Sequence, residues 1–217
     1  LPIYTYQTLD IAALQYLYGA NKATVASDVT LTDSYKNFQT IWAPQAGGVR
    51  LNAASTTRTN LFDLREGGYS SVSMRLTDGD FTSELKDGFL GIGYSATNAA
   101  AAANNLYTSL KTTKNSSKQL LSTTLYNGKN NVALSYGSKY STVTGGKSSD
   151  KFYASNYSAT LDGGDGTDTV YLQGAATDWV IDANKTTATS KVGSVTIGLR
   201  NIESIAFYKS TEALIHA

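Results

Sequence analysis

The sequence predicts a mainly β chain: a short parallel β-roll or β-helix with flanking β-strands, an N-terminal helix and an inserted helical segment. Three observations lead there. Leu134, Val143, Phe152, Leu161 and Val170 recur every nine residues through a polar, glycine-dotted segment. Residues 24–92 break into short apolar or alternating runs, such as FQTIWA and TNLFDLREG, separated by Gly, Asn and Ser/Thr clusters, which is a strand-and-turn pattern. Two stretches depart from it, TLDIAALQYLY at 8–18 and the Ala-, Leu- and Lys-rich 95–125, and both carry helical periodicity and composition.

Composition narrows the function classes. The chain has 217 residues, enough for one or two domains with a real core. Charged residues make up 16% and the net charge is +1, which argues against a nucleic-acid binder with its basic face. No apolar run reaches the roughly 18 residues that span a bilayer, so no membrane insertion is expected. Cysteine is absent, which excludes disulfides and thiolate metal sites. The single histidine, His216, is the penultimate residue and is expected to be a solvated tail residue. A Ser-His-Asp triad or a catalytic zinc site therefore lacks its imidazole, and no catalytic residue is expected. Leu1 is not a translation start, and the chain is expected to be a fragment or processed product.

Each element has its own justification. Thr8 is placed to cap the first helix and Asp10 suits its positive end. Ile11, Leu14 and Tyr18 recur at helical spacing, which implies core packing, and Gly19 is placed to stop the helix in a left-handed conformation. From 95 to 125, one helix or two broken near Asn115–Ser117 are expected, with Ala99–Ala103 as ordinary helix. After about 127, short strands and turn residues return with the nine-residue period.

That period aligns five blocks: NGKNNVALS (127–135), YGSKYSTVT (136–144), GGKSSDKFY (145–153), ASNYSATLD (154–162) and GGDGTDTVY (163–171). The pattern G-G-x-G-x-D-x-U-x is the calcium-binding nonapeptide of parallel β-helices. Its apolar eighth position points inward, and its glycines permit the tight loop. Two nonapeptides make one coil, so loops on one side recur every 18 residues, as Gly145 with Gly163 and Asp150 with Asp168 do. Calcium takes six to eight oxygen ligands. Asp150, Asp168 and Asp165 are the candidate carboxylates, with backbone carbonyls around Gly145, Lys147, Gly163 and Asp165. Two departures limit the roll. Ser148 stands where the loop pattern has glycine, and ASNYSATLD lacks the loop motif. The alternative is a short β-helix whose turns are closed by hydrogen bonds alone.

These residues resemble the C-terminal half of a serralysin, a secreted bacterial zinc metallopeptidase with a calcium β-roll. LDIAALQYLYGAN (9–21) is similar to the helix that joins the family's protease domain to its roll. IWAPQAGG with RTNLFDLREGGYSSV (58–72) resembles the first strands of the C-terminal domain, and NVALSYGSKYSTVTGGKSSD (131–150) resembles the lead-in to the first calcium repeat. The resemblance covers about two thirds of the chain. The zinc motif HExxH is absent. Asp28 fits one acidic position of an additional calcium site, but WAPQAGGVR lacks the partner carboxylates, so that ion is not expected. Residues 166–208 resemble the module that closes many type I secreted repeat proteins, and EALIHA near the end resembles the tail read by type I exporters. Val192, Val195, Ile197, Ile202, Ile205 and Phe207 read as strands of this cap, and Trp179 as its core.

The expected organisation is a linker helix (1–22), a β-strand lead-in (23–73), an inserted, partly helical segment (74–129), the short roll (130–171) and a β cap with secretion tail (172–217). The expected function is a non-catalytic calcium-binding C-terminal domain of a secreted serralysin-like protein, exported by a type I system and folding on calcium outside the cell. Its expected partners are its own upstream protease domain or other parent domains and the secretion machinery, with self-association as a further option. The alternative is an extracellular structural or adhesive module, of surface-layer or filament type, that assembles on calcium. An enzyme using an acid pair such as Asp80 with Asp87, or Asp162 with Asp165, is the weakest reading.

Overall fold

A computed structural model describes residues 6–23, 25–34, 37–44, 47–125 and 127–209. The chain divides into two compact units, residues 1–74 with 128–217, and residues 75–127. The expected secretion tail and His216 lie outside the described residues.

The first unit begins with helix α1 (Thr8–Tyr18) and the strands β1 (Val29–Thr30), β2 (Gln39–Ile41), β3 (Val49–Asn52), β4 (Leu61–Asp63) and β5 (Tyr69–Ser70). The second unit holds α2 (Asp78–Gly91), α3 (Ala96–Thr112) and a 3-10 turn at Leu121–Thr124. The chain then re-enters the first unit with β6 (Val132–Leu134), β7 (Tyr140–Thr144), β8 (Lys151–Tyr153), β9 (Ala159–Asp162) and β10 (Thr169–Gln173). A 3-10 turn (Ala176–Asp178) and β11 (Trp179–Ile181), β12 (Thr187–Ser190), β13 (Thr196–Arg200) and β14 (Ser204–Tyr208) complete it. With helices of 11, 14 and 17 residues beside these strands, the chain is mixed α and β rather than plainly mainly β.

The strands build three sheets, ordered β1-β3-β7-β9-β13-β12-β11, β14-β10-β8-β4 and β2-β6-β5. In the first, β1 through β13 run parallel, and the antiparallel β11–β12–β13 meander ends it. The second is parallel throughout. The nine-residue period appears directly in the pairing. Val143 lies opposite Leu161, and Phe152 opposite Val170. Successive blocks therefore alternate between two sheets, and every second block stacks on its predecessor.

All five periodic residues, Leu134, Val143, Phe152, Leu161 and Val170, are fully buried. They join a core that also holds Leu51, Phe62, Leu172, Ile197 and Leu199. Burial of such a continuous apolar file is the main favourable contribution to this unit. One block departs from the expected stack. Leu134 in β6 pairs with Ile41 of β2, not beside Phe152. The place next to Phe152 is taken by Phe62 of β4, with ring centroids 5.0 Å apart. The stack thus continues across a sequence gap into β3, which pairs with β7, and β4, which pairs with β8.

The helices also correct the expectations. Gln7, not Thr8, caps α1, and its N–H donates to Asp10 at 3.0 Å. Gly19 ends the helix at positive φ, but its ψ of 157° lies outside the left-handed helical region. The expected core packing of α1 is absent: Leu14, Leu17 and Tyr18 are exposed, and Thr8 is the helix's one buried residue. Residues 78–91, within the strand-and-turn pattern read over 24–92 and also within the expected inserted, partly helical segment 74–129, form α2. Thr77 caps it: its hydroxyl accepts from the Asp80 N–H, and its own N–H donates to Asp80 Oδ2. Three glycines in this stretch mask the helix in the sequence, and the cap holds it. Helix α3 buries Ala99, Ala103 and Tyr107 along one stripe, and Tyr107 stacks on Phe81 of α2. Val192, read as a strand residue, is exposed in the turn after β12. No helix among the described residues is long and apolar enough to cross a membrane.

Candidate functional site

Four polar residues stand immediately before the four strands of the parallel sheet: Asn60 before β4, Asp150 before β8, Asp168 before β10 and Glu203 before β14. They form a relay. The Asn60 N–H donates to Asp150 Oδ1 at 2.6 Å, the Asp150 N–H to Asp168 Oδ1 at 2.6 Å, and the Asp168 N–H to Glu203 Oε2 at 2.6 Å. Each of the three carboxylates thus accepts from the backbone of the member before it in the stack. The parallel register sets this, since a residue preceding each paired strand must meet its counterpart one coil on.

The two glycine loops come together as their spacing predicts. The Gly145 N–H donates to the Asp162 carbonyl, and the Asp165 N–H to the Gly146 carbonyl. A side chain at Gly145 would collide with the Gly163 carbonyl, and one at Gly163 with the Asn201 carbonyl and the Asp168 carboxylate. These positions exclude any side chain through close backbone approach. A cavity of about 340 Å³ lies along the loops, lined by Gly145, Gly146, Lys147, Asp162, Gly164 and Asp165 among others.

The two central carboxylates differ. Asp150 is 1% exposed, and both its oxygens are engaged. The Asn60 amide donates to each, the Asn60 N–H to Oδ1, and the Gly146 N–H to Oδ2 at 2.7 Å. With its lone pairs directed at N–H donors, Asp150, expected as a calcium carboxylate, anchors its loop through four hydrogen bonds. Asp168 is fully buried, and its Oδ2 has no hydrogen-bond partner. The Gly164 N–H, the counterpart of the one that closes Asp150, turns to Asp162 Oδ1 instead. The second loop is therefore open where the first is closed.

Electrostatics follow from this geometry. Burial pushes the Asp150 carboxyl up to about 7, against the hydrogen bonds from Gly146 and Asn60 that favour its ionised form. Burial pushes Asp168 up to about 6, reinforced by the negative charges of Glu203, Asp162 and Asp165. A buried acceptor with three carboxylates around it calls for a proton or a cation. Among the described residues, no three acidic, histidine or cysteine side chains are grouped to hold a metal. A cation here would rest on Asp168 Oδ2 and draw its remaining oxygens largely from loop carbonyls, a donor set suited to hard calcium. Of the other expected contributors, Asp165, Lys147 and Gly145 line the loop cavity, and Gly163 packs against Asp168.

The sequence reading missed Asn60 and Glu203. Asn60 precedes an apolar run, Leu-Phe, as Asp150 and Asp168 precede theirs, but outside the nonapeptide block. Asp28 is tied to Arg50, accepting its N–H at 3.0 Å. Trp179 is buried, and its indole N–H donates to the Gln173 carbonyl at 2.9 Å.

No protein-family model matches the chain, and no curated protein matches it significantly.

Proposed function

We propose that this chain is a non-catalytic, calcium-binding module of a secreted serralysin-like protein, and that its parallel stack is a short calcium β-roll. The observation that carries the reading is the buried, unpartnered Asp168 Oδ2 between two apposed glycine loops. Calcium at the second loop would neutralise that oxygen and replace the proton it otherwise needs. Asp168 would hold the ion, with Asp165 and the loop carbonyls at its side, while Asp150 keeps the first loop in shape. An ion that binds only the folded chain drives folding. Such a module stays loose where calcium is scarce and folds where it reaches the millimolar range of extracellular sites. Export by a type I system and a zinc protease domain in the same parent rest on the sequence resemblance.

The test is a calcium titration followed by far-UV circular dichroism and thermal melting. Calcium is expected to raise the melting temperature of the native chain and to leave Asp168→Asn unchanged. A native chain indifferent to calcium overturns the reading.

A second reading, a calcium-ordered assembly subunit, is favoured by α1, which leaves Leu9, Tyr16, Leu17 and Tyr18 more than half exposed. Calcium-dependent oligomers in light scattering would support it, and a monomer with and without calcium would exclude it.

A further inference from the structure

We propose that the cavity beside Trp179 binds a single neutral monosaccharide unit. The cavity holds about 330 Å³ and is lined by Ser155, Asn156, Gln173, Asp178, Trp179 and Ser190, with two valines. That volume lies at the lower end of small-molecule sites, which suits one sugar ring and not a chain. It is independent of the glycine loops and of any calcium bound there.

The walls come from separate parts of the fold. Ser155 and Asn156 follow β8, Gln173 ends β10, Asp178 and Trp179 lie where the 3-10 turn meets β11, and Ser190 ends β12. Pairing of Trp179 with Ser190 across β11 and β12 fixes one side. The indole is held by its hydrogen bond to the Gln173 carbonyl, and the residue is 7% exposed. It therefore serves as a rigid, narrow strip of aromatic wall, the surface that the C–H face of a pyranose complements.

The polar groups keep open capacity. The Gln173 side-chain amide makes no hydrogen bond to any described residue. Among the described residues, Asn156 Oδ1 receives only the Ser155 hydroxyl, at 3.3 Å, and its amide N–H groups donate to none. One oxygen of Asp178 accepts the Ala175 N–H at 2.7 Å, and the other has no partner among the described residues. Two planar amides and half a carboxylate thus present donors and acceptors side by side, the pairing that vicinal hydroxyls satisfy. The lining contains no lysine or arginine, which disfavours an anion. Lys191, next to Ser190 in the chain, donates its ammonium to the Thr177 carbonyl at 2.8 Å. A single half-engaged carboxylate is too little charge to select a cation, so a neutral polyol fits best.

The chain has two tryptophans, so Trp42→Phe leaves Trp179 as the sole indole reporter. This variant is titrated with methyl glucoside, methyl galactoside, methyl mannoside and N-acetylglucosamine, followed by Trp emission and by saturation-transfer NMR on the sugar. At least one sugar is expected to bind saturably in the millimolar range. Asn156→Ala and Gln173→Ala, made in the same background, are expected to weaken it at least tenfold with unchanged melting temperatures. No saturable response to any of the four overturns the proposal, and so does a response that survives both substitutions.

Discussion

The backbone N–H of Asp150 donates to Oδ1 of Asp168, 2.6 Å away and 18 residues later in the chain. The same step is made from Asn60 to Asp150 and from Asp168 to Glu203, over gaps of 90 and 35 residues. The stack is therefore joined by one repeated contact, whatever length of chain separates its members. Asp150 closes three donor groups in the process, and Asp168 closes one.

That difference sets an order of stabilities. Without calcium, Asp150→Ala leaves the Asn60 N–H and the Gly146 N–H without their acceptor and the Asn60 amide with Thr56 alone, and is expected to cost about 3 kcal/mol. Asp168→Ala orphans one N–H but also removes an unpartnered buried oxygen, and is expected to cost about 1 kcal/mol. Urea denaturation in EDTA measures both. The reverse order would show that Asp150 is not the anchor.

The pH dependence carries a definite sign. Asp150 and Asp168 titrate near 7 and near 6 in the folded chain, above the ordinary carboxylate value of 3.8. Between that value and about 7, the folded state binds more protons than the unfolded state, so stability falls as pH rises. In EDTA, the melting temperature is expected to climb as pH is lowered from 8 to 5. Asp33 acts oppositely and at lower pH: burial raises its carboxyl, but hydrogen bonds from Thr57 and Ser73 more than offset this and hold it low. Asp150→Asn with Asp168→Asn should flatten the slope above pH 5. An unaltered slope would place its source elsewhere.

Two glycines give opposite answers to alanine. At Gly163 a methyl group meets the Asn201 carbonyl and the Asp168 carboxylate, and Gly163→Ala is expected to cost about 2–3 kcal/mol. At Gly88, inside α2, it meets nothing within 4 Å, and Gly88→Ala is expected to stabilise by about 0.5–1 kcal/mol. Melting of the two variants beside the native chain decides the matter. A tolerated alanine at Gly163 would show that the loops do not approach this closely.

The second unit leaves and returns at neighbouring points. A side chain built on Gly128 would lie 3.3 Å from the Met74 Cα. Replacing residues 75–127 by a three-residue Gly-Ser-Gly link is therefore expected to preserve a cooperative melt and the strand circular dichroism. Loss of cooperativity would show that the first unit depends on the second.

The apolar file of the stack was legible because a nine-residue period fixes which residues share a face. The 18-residue match of Asp150 with Asp168 was legible for the same reason. Asn60 and Glu203 were not, since their distances along the chain obey no period and only the register of β4 and β14 puts them in line. Helix α2 was hidden by glycines that lower its propensity, although its cap, Thr77 with Asp80, was in view.

By itself, then, the sequence determined the local rules: which residues turn inward, which loops require glycine, and which blocks recur one coil apart. Those rules act over nine or 18 residues, where spacing along the chain still stands for position in space. Only the tertiary structure decided what closes each end of the stack, that Phe62 and not Leu134 covers Phe152, and that Asp150 is engaged while Asp168 keeps an open oxygen. Hydrogen-bond satisfaction of a buried carboxylate depends on which N–H groups happen to face it, and those come from residues 60, 146 and 164, set in place by sheet register and packing.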